Sequence, residues 1–167
     1  KIVLPMKDWK DRFEKKKLRL VLSDVFEVLE KNSNRIILNI KLSRKNYYAN
    51  YFFLKSMLRK YNFHYSFKKE SLLSLAKSSG LFLVFNDSSV AYDALSNKVA
   101  SIELWNKTPK TSSTKKYTFQ AHNKLEFEEI IVTYFKSKLK NELNKKYKIF
   151  SYYYLSKISY RKVMNFF

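Results

Sequence analysis

An α/β fold built on a parallel sheet with helices on both faces is the class this sequence predicts. Two observations carry that expectation. Apolar runs of strand length alternate with segments of helical spacing from the first residue onward, joined by short connections. The stretch Leu81 to Leu104, LFLVFNDSSVAYDALSNKVASIEL, holds a whole unit of that kind: a buried strand, a tight turn, a short helix and a second buried strand.

Taken in order, Ile2–Leu4 reads as a short strand, which Pro5 should end. Asp11–Lys31 has helical spacing, with Leu18, Leu22, Val25 and Leu29 on one face. Arg35–Leu42 is a strand of the buried kind, carrying Ile36, Ile37, Leu38 and Ile40. Asn46–Lys60 is a helix with Tyr51, Leu54, Met57 and Leu58 turned inward, and Asn62–Tyr65 is a short strand. Glu70–Ser79 is a helix, and Gly80 stands where a C-terminal stop belongs. Leu81–Phe85 is a continuous apolar run of strand length. Asp87, Ser88 and Ser89 suit the N-cap of the helix that follows, and Val99–Ile102 is the next strand. Trp105–Thr118 holds the second proline and a Ser/Thr/Lys cluster, so it reads as a loop. Leu125–Leu143 returns to helix. The tail from Lys145 to Phe167 interleaves Lys or Arg with Tyr, Phe, Ile and Leu. This pattern divides the chain into a domain over residues 1–144 and a basic, aromatic helical tail over 145–167.

A length of 167 residues suffices for one domain with a real core. Hydrophobic residues at 46% and aromatics at 17% exclude a disordered polymer despite the charge. No apolar run is long enough to cross a bilayer, and with no cysteine there is neither disulfide nor thiolate metal site. The net charge of +20 calls for an anionic partner: nucleic acid, an acidic membrane surface or a phosphorylated substrate. Part of it follows from a compositional bias toward Lys, Asn, Tyr, Phe and Ile with a single Gly, so the information lies in where the charge gathers.

Three blocks together resemble one family: RIILNIKLSRK at Arg35–Lys45, ESLLSLAKSSG at Glu70–Gly80, and FNDSSVAYDALSNKVASIEL. Their order and spacing resemble the nucleotide-binding half of a GT-B glycosyltransferase. The nearest group builds bacterial surface carbohydrate: capsule and lipopolysaccharide transferases and teichoic-acid glycerophosphate transferases. The likeness covers residues 35–104; Leu42-Ser43 stands where that group has His-Pro, and Lys98-Val99 where it has Lys-Pro. It implies a Rossmann-like sheet, a nucleotide sugar or nucleotide-activated polyol as donor, and a glycan or lipid-linked acceptor. It also implies no resident cofactor and no required metal, and a cytoplasmic protein peripheral to the inner membrane. The family fold has two such domains. An N-terminal acceptor domain, with the catalytic base, is therefore expected outside this chain, which starts with Lys rather than Met.

In an open parallel sheet the ligand site lies beyond the carboxyl ends of the strands. Ser88 and Ser89 would meet a donor phosphate there, or they only cap the helix; a capped helix start serves both. Asp87 orients the turn or accepts from a ribose hydroxyl, and Asp93 is either an acidic residue near the nucleotide or part of a solvated face. Lys41, Ser43 and Arg44 follow a strand on the ligand side, where a guanidinium or ammonium would neutralise a leaving diphosphate; the plain alternative is a basic loop. No catalytic residue is assigned. His64 reads as a packed or edge residue of its short strand, His122 lacks a visible partner, and no ligand spacing suggests a metal. The basic aromatic tail suits either an anionic membrane surface or packing on the domain. The competing reading of the whole chain is a basic α/β nucleic-acid-binding domain, with Tyr and Phe stacking on bases. A further alternative is a transferase-like domain that has lost catalysis and serves in assembly.

Overall fold

The computed structural model describes residues 1–6, 12–45, 47–85, 89–105, 117–136 and 139–152. Its strands are β1 (Ile2–Met6), β2 (Ile37–Leu42), β3 (His64–Lys68), β4 (Leu81–Phe85), β5 (Ala100–Leu104) and β6 (Phe119–Gln120). They form one sheet in the order β3-β2-β1-β4-β5-β6, and every ladder is parallel. The helices are α1 (Arg12–Lys31), α2 (Tyr47–Leu58), α3 (Leu72–Ser78), α4 (Val90–Ser96), α5 (Lys124–Phe135) and α6 (Lys140–Phe150). The chain steps outward from β1 to β3, returns to the middle as β4, and steps outward the other way. The order of travel reverses between β1 and β4, which is where such sheets open a crevice. The expected parallel α/β sheet is what the chain forms.

Because successive strand residues point to opposite faces, the sheet has two cores, and they are unequal. One face carries Leu4, Ile40, Leu83 and Ile102 under α1, α2 and α5, whose Leu22, Phe26, Leu54, Leu58, Phe127 and Ile131 are buried there. All four inward residues expected of α1 (Leu18, Leu22, Val25 and Leu29) are buried. The opposite core is small: Val3, Phe82 and Val84 meet Leu75 and Ala76 of α3 and Ala91 and Ala94 of α4, with Val99 closing it. A third cluster of Leu95, Tyr117 and Phe150 seats α6.

Several boundaries differ from expectation for physical reasons. Pro5 does not end β1 but lies inside it. The carbonyl of Met6 accepts from the Ser43 amide at 3.1 Å, so Met6 faces β2 and the alternating backbone turns Pro5 toward β4. The β1–β4 ladder covers only Ile2 and Val3, since Pro5 has no amide hydrogen to extend it on that side. β2 starts at Ile37 because Ser33–Arg35 form a 3-10 turn, and β3 runs His64–Lys68 rather than Asn62–Tyr65. β6 was not expected; it is two residues long. The single helix expected over Leu125–Leu143 is two, α5 and α6. α6 continues through the 144/145 division, and Phe150 is buried at 3% exposure, so residues 145–150 pack on the same body. The tail beyond residue 152 lies outside the described residues.

Gly80 is not a left-handed helix stop. Ser79 and not Gly80 ends α3, in an extended conformation, and Gly80 has no positive φ. Its role is close approach: a Cβ there would collide with the Tyr134 hydroxyl of α5, while the Gly80 amide donates to the Lys1 carbonyl at 3.0 Å. Gly80→Ala is therefore expected to cost about 1 kcal/mol or less in urea unfolding, since the end of the half-buried Tyr134 side chain can give way. In a Tyr134→Phe background, which removes the colliding oxygen, the same change should be neutral or stabilising. A penalty that persists in that background would show the collision is not the cause.

The left-handed residue is Lys98, at φ 56°. It follows α4 in a Schellman arrangement: the Lys98 amide donates to Leu95 O at 2.8 Å, and the Val99 amide to Ala94 O at 3.0 Å. Ala94 and Val99 share the small core, which supplies the apolar contact that goes with this motif. The Lys98 ammonium lies over the Tyr147 ring at 5.0 Å, tying α4 to α6.

Candidate functional site

Every strand delivers its carboxyl end to the same edge of the sheet, so that edge collects the loops after β1 to β6. At its middle, the β1–β4 ladder runs only through Val3 and Phe82, because Pro5 has no amide hydrogen to carry it on, while β1 pairs with β2 through Met6. The switch point, where a sheet of this kind places its ligand crevice, lies at the ends of β1 and β4, with the β2–α2 loop on one flank and α4 on the other.

The β2–α2 loop is pinned to β1 by the Ser43 amide on Met6 O, and the Ser43 hydroxyl accepts from the Lys45 amide at 3.3 Å. That places Arg44 at the crest of the loop, exposed, with no hydrogen bond or ion pair among the described residues. Lys41 is spoken for in part. Its ammonium donates to Lys69 O at 2.8 Å, joining β2 to the turn after β3. Beside it, the Glu70 carboxyl is held below its ordinary range, first by its own backbone amide and further by Lys68 and Lys41. Those two ammonium groups and Arg44 give this flank a positive field.

On the other flank, Ser89 precedes α4 and is exposed. It was expected to cap the helix, and it does not. Ser89 is already helical, at φ −52° and ψ −23°, and makes no side-chain cap hydrogen bond. A cap needs the extended geometry that brings the hydroxyl back over the first amides. Its carbonyl accepts from the Tyr92 and Asp93 amides. Asp93 is exposed in the first turn, where a carboxylate is favoured by the helix dipole, and among the described residues its carboxylate has no ion pair. Asp87 and Ser88 lie outside the described residues. Of the seven residues singled out, Lys41, Ser43 and Arg44 share one flank, and Ser89 and Asp93 belong to the other.

Two polar features at the sheet escaped the sequence reading. Glu103 of β5 is buried at 4% exposure and accepts from Gln120 Nε2 at 2.9 Å and Thr118 Oγ1 at 3.2 Å. A lone acid inside the apolar run VASIEL was its signal, and the outcome is an anchor for the short β6. Asn39 of β2, also buried, accepts from the Ser66 hydroxyl at 3.0 Å across to β3. The histidines stand elsewhere. His64 lines an open cleft with Arg35, Ile37 and Asn62 at the opposite end of the strands. The His122 amide donates to Glu126 at 2.8 Å, within the capping of α5 by Asn123. Among the described residues, no group of three or more His, Asp or Glu side chains gathers as a metal site.

No protein-family model and no curated protein sequence matches this chain significantly. Solved structures do. The catalytic domain of a cholesterol-α-glucosyltransferase from Helicobacter pylori is similar with a TM-score of 0.58 at 17% identity, over 91% of this chain and 98% of that one. A chain of the GtfA/B complex gives 0.60 at 11% identity, and TarM gives 0.58 at 14%. Both alignments cover 98% of this chain but only 35% and 34% of the respective partners, so the chain spans about a third of their length. At these identities the likeness establishes the fold. The six-stranded sheet is a Rossmann-like half of the kind from which GT-B glycosyltransferases are built.

Proposed function

We propose that this chain is the donor-binding domain of a glycosyltransferase, or of a sugar- or polyol-phosphate transferase, that builds a bacterial surface polysaccharide. The observation that supports it most is the switch point between β1 and β4 at the carboxyl edge, with Arg44, without a partner among the described residues, on one flank and Ser89 and Asp93 on the other. It stands in a fold shared with glycosyltransferase structures.

In this reading the diphosphate of a nucleotide sugar or nucleotide-activated polyol lies across the crevice. Arg44 offers a planar fork to the phosphate oxygens and stabilises the charge that grows as the nucleotide departs. Lys41 acts at longer range, since one of its hydrogens is committed to Lys69 O. Ser43 positions Arg44 through its backbone bond to β1. Ser89 offers its hydroxyl to phosphate and Asp93 its carboxylate to a ribose hydroxyl. Asp87 and Ser88, next to Ser89 in sequence, are assigned to the same donor phosphate and ribose. The donor is a substrate, and the reading takes no resident cofactor or metal. The glycan or lipid-linked acceptor and the catalytic base come from an N-terminal acceptor domain. The protein works in the cytoplasm at the inner membrane face; among the described residues no helix is long and apolar enough to cross a membrane.

The test is a titration of the chain with CMP, CDP, UDP, GDP and their sugar conjugates, read by thermal shift and by chemical shifts. One nucleotide should raise the melting temperature, as any ligand of the native state must. If none does, and generic oligonucleotides bind tightly with a steep salt dependence, the nucleic-acid reading replaces this one.

A further inference from the structure

Residues 31–69, which build β2, α2 and β3, contain ten Lys or Arg and neither Asp nor Glu. Within that span α2 is unusual. Its sequence, YYANYFFLKSML, is apolar nearly all the way round, a pattern that belongs to a buried helix or one in contact with lipid. Yet α2 covers the outside of the domain, with Tyr48 at 74% and Phe52 at 65% exposure, one turn apart on its outer face. Its polar Asn50 is turned inward instead, at 2% exposure.

The neighbouring helix matches it. α1 lies beside α2 on the same face of the sheet, and the Arg19 guanidinium sits over the Phe53 ring at 5.5 Å. Leu20 of α1 is 61% exposed, flanked by exposed Lys16 and Arg19. α1 is mainly basic before Leu20, with Arg12, Lys15, Lys16, Lys17 and Arg19 against Glu14, and mainly acidic after it, with Asp24, Glu27 and Glu30 against Lys31. Those later acids are engaged away from this end: Glu27 pairs with Lys124 of α5, and Glu30 accepts from the Asn62 amide before β3. Both helices return antiparallel to the strands, so their opening turns lie at the sheet's carboxyl edge, beside the exposed Arg44 and Lys45.

We infer that this face, Tyr48 and Phe52 of α2 with Leu20 of α1 inside a rim of Lys16, Arg19 and Lys45, docks the domain on an anionic lipid bilayer. Aromatic side chains favour the headgroup level, and Lys and Arg around them are drawn to a negative leaflet. A second copy of this chain is the poorer occupant. A two-fold pairing of this face would set its basic rim against an identical basic rim. Nucleic acid suits the rim but has no use for the aliphatic Leu20. The surface differs from the basic tail, whose residues beyond 152 are not described, and docking there brings the carboxyl edge close to the membrane. It stands whether or not the crevice takes a nucleotide, because vesicle binding is read without one.

The test is co-sedimentation of the whole chain with phosphatidylcholine vesicles, with and without phosphatidylglycerol. The parent should bind the anionic vesicles, more weakly as salt rises, and leave the neutral ones. Tyr48→Ser with Phe52→Ser should lower that binding about tenfold or more, with unchanged circular dichroism and melting temperature, since both side chains are exposed. Leu73→Ser, an equally conservative change at an exposed leucine on α3 of the opposite face, should leave it intact. Undiminished vesicle binding by the double variant overturns the assignment, as does failure of the parent to prefer anionic vesicles. So does light scattering that shows a dimer dissolved by the double substitution while vesicle binding persists. Loss of oligonucleotide binding in the double variant with vesicle binding unchanged would overturn it in favour of nucleic acid.

Discussion

Replacing Phe82 by alanine is expected to cost about 3–5 kcal/mol of stability. Phe82, the second residue of β4, is fully buried and is the bulkiest side chain of the small core beneath α3 and α4. Around it stand Val3, Val84 and Val99, with Leu75, Ala76, Ala91 and Ala94 of the two short helices, small or medium residues with little spare volume to refill a phenyl-sized hole. The loss should appear as a lowered urea midpoint with an unchanged slope. The same substitution at Phe26, in the large core, also removes a fully buried ring. What distinguishes Phe82 is its site. α4 borders the crevice, so Phe82→Ala should also weaken nucleotide binding under conditions where the variant remains folded, whereas Phe26→Ala should not. Equal effects of the two on nucleotide affinity would show that the small core does not position the crevice.

Arg44→Ala should lower affinity for a nucleoside diphosphate by about 10- to 100-fold, the usual weight of one charge-assisted hydrogen bond. Its value as a test rests on exposure: Arg44 has no partner among the described residues, so its removal should change stability by no more than about 0.5 kcal/mol. Arg44→Lys should recover only part of the loss, because an ammonium cannot present a planar fork. Lys41→Ala is a less clean change. It frees the Lys69 carbonyl and loosens the β2–β3 edge, so affinity and stability should fall together. Calorimetric titration of the four proteins with one nucleoside diphosphate decides the matter. An Arg44→Ala protein that binds as the parent does removes Arg44 from the site.

The sheet was legible because its strands carry their burial in plain composition. Leu81–Phe85 is apolar at every position, and β4 occupies those five residues. α1 was legible through its spacing, since a long helix with one apolar stripe has one face to bury. α2 was half legible: Leu54, Met57 and Leu58 were expected inside and are buried, but so apolar a helix gave no sign of Asn50 inside or of Tyr48 and Phe52 outside. β6 was hidden because two residues carry no period, and its anchor, Glu103, is a contact made across fifteen positions of sequence. Gly80 was read from a local rule, whereas its constraint comes from Tyr134, which only the tertiary fold brings near. The site was legible as a location, the carboxyl edge, through strand–helix alternation. Which loop residues keep free donors was not, because that depends on how Ser43 locks to β1 and Lys41 to Lys69.

The proline within β1 has a consequence for the carboxyl edge at the switch point. A ladder propagates only while each residue has a hydrogen to give and an oxygen to receive. At Pro5 the ring nitrogen turned toward β4 has no hydrogen, so the bonding of β1 to β4 stops at Val3 and Phe82. Nothing that arrives at or leaves that edge can lengthen the ladder by a bond from Pro5. The covalent chain itself fixes where the two middle strands cease to be bonded.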